Sequence, residues 1–208
     1  MSQFDMFAPP PPPPSGPLLP PRVKSTARRH DVFFALRPDV ADSQRLAAQA
    51  AREDRRLGVG GKPIEPERLH VSLYLMASYE RGEPFPQANV ERWMLAASAV
   101  RRTTFEVTFD GLATFGGKTN PLVLKARDRA GVAGVRTFQH ELGIALADAG
   151  ETMRDKPFEP HMTVSYRGMR IAEESTTPIQ WVPRELVLID SHLGEHIHEV
   201  LGSWPLRT

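Results

Sequence analysis

Two short stretches about ninety residues apart constrain this chain more than anything else in it. Leu69-His70-Val71-Ser72-Leu73-Tyr74-Leu75 and Pro160-His161-Met162-Thr163-Val164-Ser165-Tyr166 each alternate side-chain character with the two-residue period of a β-strand. The alternation predicts that His70, Ser72 and Tyr74 share a face opposite Val71, Leu73 and Leu75. It likewise sets His161, Thr163 and Ser165 opposite Met162, Val164 and Tyr166. A strand with one apolar face must seat that face on a core, so each histidine is held on a rigid, one-sided element.

The same unit precedes each stretch. Asp31 to Leu36 reads as a buried strand stopped by Arg37-Pro38, and a helix is expected from about Asp39 to Arg56, with Gly58 where a C-terminal cap belongs. Leu122 to Ala126 reads as a second buried strand. It is followed by an amphipathic helix over Val132 to Ala149, with Val135, Phe138, Leu142 and Leu146 inward. Two such halves related by a pseudo-twofold axis would set the polar strand faces on opposite walls of one cleft. Between them fall a helix from about Gln87 to Val100 and a strand, bend, strand pattern over Phe105–Phe109 and Leu112–Phe115, turning at Gly111. Further strand signals lie at Ile179–Trp181 and Glu185–Asp190 and in the closing run from His196 to Trp204.

Residues 30–208 are long enough for one sizeable core, whereas residues 1–29 read as a tail. Nine of the twenty prolines fall between Pro9 and Pro21, which favours extended polyproline II and withholds the donors that a sheet or helix needs. Ahead of them, Gln3-Phe4-Asp5-Met6-Phe7 resembles the linear motif by which bacterial replication and repair proteins dock on the sliding clamp, through Gln3, Met6 and Phe7. A terminus with no role is the competing expectation. Without cysteine the chain has no disulfides and no thiolate zinc site. No apolar run approaches the roughly 18 residues of a membrane span, and no signal-peptide pattern opens the chain, so a cytoplasmic protein is expected. The residues before Asp31 carry a net charge of +3 and the remainder −2. A body of that charge does not coat long nucleic acid and would handle phosphate through a local cluster.

Two histidines on opposed walls suit cleavage of a phosphodiester. One, neutral, takes a proton from the attacking water or hydroxyl, and the other, protonated, delivers one to the leaving oxygen. Each role is worth about 10² to 10⁴ in rate. The hydroxyls of Ser72 and Thr163, two positions along the same strand faces, can donate to the phosphoryl oxygens, and Arg167, Lys156 or Arg154 can offset the phosphate charge. No metal or other cofactor is needed in this scheme.

With these motifs the sequence resembles the RNA 2′,3′-cyclic phosphodiesterases, also called 2′-5′ RNA ligases, of the two-histidine phosphoesterase superfamily. Beyond the two His-x-Ser/Thr pairs, the resemblance includes Phe33-Phe34-Ala35-Leu36, Pro178-Ile179-Gln180-Trp181, Leu188 to Gly194 and Leu201 to Leu206. It implies an α+β fold of two pseudo-symmetric lobes, each a mainly antiparallel sheet with outer helices, facing a central cleft. It also implies hydrolysis of RNA 2′,3′-cyclic phosphate ends to 2′-phosphomonoesters, with reverse joining of a 2′-5′ linkage as a second direction. Under it His70 is the proton donor, His161 the acceptor, and RNA ends or small cyclic nucleotides are the partners. Three departures stand out: Ser72 replaces the usual threonine, His198 falls where a tyrosine is common, and Arg167 sits one residue late.

Other readings compete. A small cyclic nucleotide is one alternative substrate, and a tail-tethered adaptor that binds RNA ends without turnover is another function. His196 and His198, with Asp190 and His192 upstream, have the look of metal ligands, but no regularly spaced partner completes a set, so no metal site is expected. Trp181, Trp204 and Phe115 are expected in the core, and Tyr74 in the cleft. Lys118 and Asn120 read as solvated turn residues.

Overall fold

The computed structural model describes residues 29–101, 103–117, 119–153 and 157–207; the expectations for Gln3, Met6, Phe7, Lys118, Arg154 and Lys156 lie outside these. Among the described residues the chain forms nine strands and three α-helices. The strands are β1 (Arg29–Arg37), β2 (Lys62–Pro63), β3 (Val71–Glu80), β4 (Val107–Thr114), β5 (Leu122–Lys125), β6 (His161–Tyr166), β7 (Glu174–Trp181), β8 (Glu185–His192) and β9 (Ile197–Pro205); the helices are α1 (Val40–Leu57), α2 (Gln87–Ala99) and α3 (Ala133–Asp148).

The sheet runs in the order β7-β4-β5-β6-β3-β1-β8-β9, with β2 against β6, and its ladders are antiparallel. Read outward from its middle, the order is symmetric: β3-β1-β8-β9 on one side answers β6-β5-β4-β7 on the other. The strand–helix–histidine strand units β1-α1-β3 and β5-α3-β6 therefore occupy equivalent places, and the α+β, two-lobed architecture is the one expected. Strands β3 and β6 meet at a single paired position, Val71 with Met162, and β2 adds Lys62 with Tyr166 and Pro63 with Ser165.

Local chemistry fixes the helices where the sequence puts them. Pro38 precedes α1, the Asp39 carboxylate accepts from the Asp42 N–H at 2.8 Å, and Gly58 closes the helix at φ 62, a conformation that a side chain resists. One face of the sheet is covered: Phe34, Leu36, Leu46, Trp93, Phe138, Leu142, Leu146 and Leu188 join a single core. Each such side chain, fully buried, contributes about 1.5–3 kcal/mol. Among the described residues the other face carries a small cluster of Ala35, Val187 and Ile189 with Phe33, and no helix. Helix α1 also ties the lobes together. Gln49 donates to the Thr176 hydroxyl and the Thr177 carbonyl, both at 3.1 Å, and Arg45 to the Gln180 carbonyl at 2.7 Å, all on β7 of the second lobe.

Two bulges revise the expected faces. Ala35 pairs with Ser72 but Phe34 pairs with Tyr74, so Leu73 is an extra residue and Tyr74 turns to the helix side. There its ring fills the space over Gly143 of α3, where a Cβ would collide with the phenolic oxygen. Leu75 is left on the open side, 60% exposed. In β6, Val123 pairs with Thr163 and Leu122 with Ser165, so Val164 is the extra residue and Ser165 is buried beneath Gly61 instead of lying beside Thr163. Asp110 marks a further irregularity, but β4 runs through Gly111 as one strand.

Candidate active site

The helix-free face carries both histidines at the junction of the lobes. With Val71 opposite Met162 in an antiparallel pair, His70 lies across from Thr163 and His161 across from Ser72. The two histidine positions are thus diagonal neighbours, whose backbones stand about 7–8 Å apart in a regular ladder. Each is oriented the same way: His70 Nδ1 donates to the Arg68 carbonyl at 2.7 Å and His161 Nδ1 to the Glu159 carbonyl at 2.8 Å. A carbonyl only accepts, so the hydrogen of each neutral ring sits on Nδ1 and each Nε2 is left free for proton transfer.

The surroundings of the two rings are related but not equal. Phe33 stacks on His70 with centroids 5.2 Å apart, and Phe115 meets His161 edge-on at 4.7 Å. Phe115 therefore belongs to the site and not to the core, while Tyr74 does the reverse. Trp181 and Trp204 are buried as expected. His198 packs edge-on against His70 at 5.4 Å, and its Nε2 lies 3.3 Å from an Arg68 Nη. Because arginine only donates, His198 Nε2 is the acceptor, and its Nδ1–H is a buried donor with no partner.

Burial, together with the charges of Arg37, Arg68 and His161, lowers the His70 pKa from 6.5 to about 4, against the pull of the Arg68 carbonyl. Burial and the neighbouring His70, Arg68 and Arg37 lower that of His198 to about 3. Lys125, paired in register with His161, is the basic neighbour on the second lobe. Burial pulls its pKa down, but bonds to Glu159 and to Glu173, the latter at 2.9 Å, outweigh this and hold it above its ordinary value.

The positive groups nearest His70 are thus Arg37 and Arg68, neither of which stood out in the sequence. Arg37 ends β1 before a proline and Arg68 lies in a turn, positions that strand alternation does not assign to a face. Arg167 lies past the end of β6, exposed, at φ 66, with its N–H donating to the Thr119 carbonyl at 2.7 Å. A cavity of about 530 Å³ opens where β3 and the segment before β6 part, lined by Tyr74, Leu75, Gln139, Met153 and Phe158 but by neither histidine.

Two antiparallel half-sheets presenting paired His-x-Ser and His-x-Thr strands to one cleft define the two-histidine phosphoesterases. Within that class the chain belongs to the 2′-5′ RNA ligase superfamily, whose family model matches residues 38–195. Solved structures with the same fold include Escherichia coli LigT in its apo form, 18% identical, with a TM-score of 0.64 over 88% of this chain and 100% of that one. LigT complexed with 3′-AMP matches at 18% identity and a TM-score of 0.63, over 86% and 99% of the two chains. TT0787 of Thermus thermophilus is 21% identical, with a TM-score of 0.63 over 85% and 98%. Among curated proteins none matches by sequence. No helix among the described residues is long and apolar enough to cross a membrane.

Proposed function

We propose that this protein hydrolyses RNA 2′,3′-cyclic phosphate ends to 2′-phosphomonoesters by histidine acid–base catalysis, without a metal at the reacting centre. The observation that carries this reading is the matched pair of free Nε2 atoms at the lobe junction, each fixed by a backbone carbonyl. His161 takes a proton from water as its oxygen attacks phosphorus. The bond from phosphorus to the 3′ oxygen breaks, and His70 Nε2 delivers the proton that makes it a hydroxyl, leaving the phosphate on the 2′ oxygen. Ser72 and Thr163, each across the ladder from the other lobe's histidine, donate to the non-bridging oxygens.

The low pKa of His70 bears on its role as acid. Burial and the fields of Arg37 and Arg68 keep His70 of the protein alone neutral near pH 7. A bound phosphodiester anion offsets those fields, so the proton is taken up with the substrate and is in place when the 3′ oxygen departs. The Phe33 and Phe115 rings offer apolar faces for a base. That LigT, of the same fold, has been solved complexed with 3′-AMP supports a nucleotide ligand.

The test is turnover of a short RNA ending in a 2′,3′-cyclic phosphate, followed by phosphorus NMR. Accumulation of the 2′-phosphomonoester at a rate insensitive to chelator is expected. Accumulation of the 3′ isomer, or loss of activity on chelation with the fold intact, would overturn the proposal. Equal turnover of a small cyclic nucleotide and a short RNA would favour the small-substrate reading.

A further inference from the structure

From the geometry at the far end of the first lobe we infer that His30, Asp190 and His192, with Glu199, form a binding site for one divalent transition-metal ion of the zinc class. The four residues come from β1, β8 and β9. His30 pairs with His192, Val32 with Asp190, and Asp190 with Glu199, which sets them side by side on the helix-bearing face of the sheet. His70 and its neighbours Phe33 and Ala35 lie on the opposite face, toward the other end of β1. The site is therefore distinct from the catalytic cleft.

One ligand atom from each of His30, Asp190 and His192 can be chosen so that all three lie within 4.8 Å of one another. His30 Nδ1 is 3.2 Å from both oxygens of Asp190, and His192 Nε2 is 3.8 Å from Asp190 Oδ2 and 3.7 Å from Glu199 Oε2. Four donors on a zinc ion at 2.0–2.1 Å stand about 3.4 Å apart along each tetrahedral edge. A network held by hydrogen bonds alone fits less well. It satisfies His30 and Tyr79 but leaves His192 Nε2 buried without a hydrogen-bond partner among the described residues, too far from either carboxylate for a hydrogen bond. An ion shared by these groups removes that deficit.

The surroundings suit a metal of this kind. Tyr79 donates to Asp190 Oδ2 at 2.5 Å and lies 3.2 Å from His30 Nδ1, so it can hold the carboxylate as an outer-sphere donor. The Tyr79 ring stacks on His30 at 4.8 Å and meets Phe85 edge-on at 6.0 Å, which walls the site from solvent on that side. Two imidazoles and two carboxylates form the mixed nitrogen and oxygen set that zinc accepts, in preference to the all-oxygen shells of calcium or magnesium. An ion here would fasten the outer ends of three neighbouring strands.

The experiment is calorimetric titration of the chelator-treated full chain with zinc chloride, with melting temperature read in parallel. One equivalent of zinc should bind and raise the melting temperature. His192→Ala should weaken binding by at least a hundredfold, and Glu199→Gln, at an exposed position that carries no core packing, by about tenfold. His70→Ala and His161→Ala should bind zinc like the unaltered chain, and chelation should leave phosphodiester turnover unchanged. An absence of stoichiometric binding overturns the inference. So does zinc binding that survives both His192→Ala and Glu199→Gln, or that is lost with His70→Ala.

Discussion

His70 and His198 make the stability of this protein depend on pH in a direction that can be worked out in advance. Their folded pKa values lie near 4 and 3, below the 6.5 of a free imidazole. As pH falls below about 6.5 the unfolded chain takes up protons that the folded chain refuses, so stability is lost between about pH 6.5 and 3 and is unaffected above about 7.5. At about pH 4.5 the shift at His70 alone amounts to about 2.5 kcal/mol, and for both rings, which oppose each other's charge, the total lies between about 2.5 and 5 kcal/mol. His70→Asn keeps a donor toward the Arg68 carbonyl and should remove about half of that loss; His70→Asn with His198→Asn should remove nearly all of it. Urea unfolding at about pH 7.5 and about pH 4.5 measures the difference, and phosphate at millimolar concentration should narrow it in the unaltered chain by favouring the charged rings. A double variant with the same acid sensitivity as the unaltered protein would refute the burial argument, and with it the claim that the acid's proton arrives with the substrate.

Other consequences are smaller in scope. His70→Ala and His161→Ala should each lower kcat/KM by about 10² to 10⁴ with circular dichroism unchanged, read on the cyclic phosphate RNA. Arg68→Met removes a donor to His198 and a charge near His70, so KM should rise about tenfold and the His70 pKa should move up, seen by NMR titration of the ring. Tyr74→Ala should cost about 2 kcal/mol of stability while turnover by the folded protein stays within about twofold, because the ring packs on α3. Gly143→Ala, which drives a methyl group into that same phenol, should destabilise by about 1–3 kcal/mol in thermal unfolding.

The architecture was legible because it is written in short-range patterns. Pro38, Asp39 and Gly58 bracket α1, and the spacing of Val135, Phe138, Leu142 and Leu146 locates α3. The repeated strand–helix–histidine strand unit fixes the pseudo-symmetry before any contact is known. What escaped depends on events that such patterns do not encode. The bulges at Leu73 and Val164 insert a residue without altering the alternation, so Tyr74 and Ser165 were assigned to the wrong face. Phe115, at the end of β4, looked like packing material because nothing local shows its ring reaching His161. Arg37 and Arg68 act on His70 from a strand end and a turn. His30 and Asp190 meet across 160 residues, so His30 had no visible reason to be grouped with the histidines near the C-terminus.

The single rung between β3 and β6 has a mechanical consequence. Neither lobe holds both proton-transfer groups, and the ladder between them is too short to set their separation firmly. That gauge is kept also by β2 against β6 and by α1, which belongs to one lobe and is fastened to the other through Gln49 and Arg45. The helix behaves as a brace across a seam, and substitutions on its buried side, remote from any phosphate, can detune the reaction by letting acid and base drift apart.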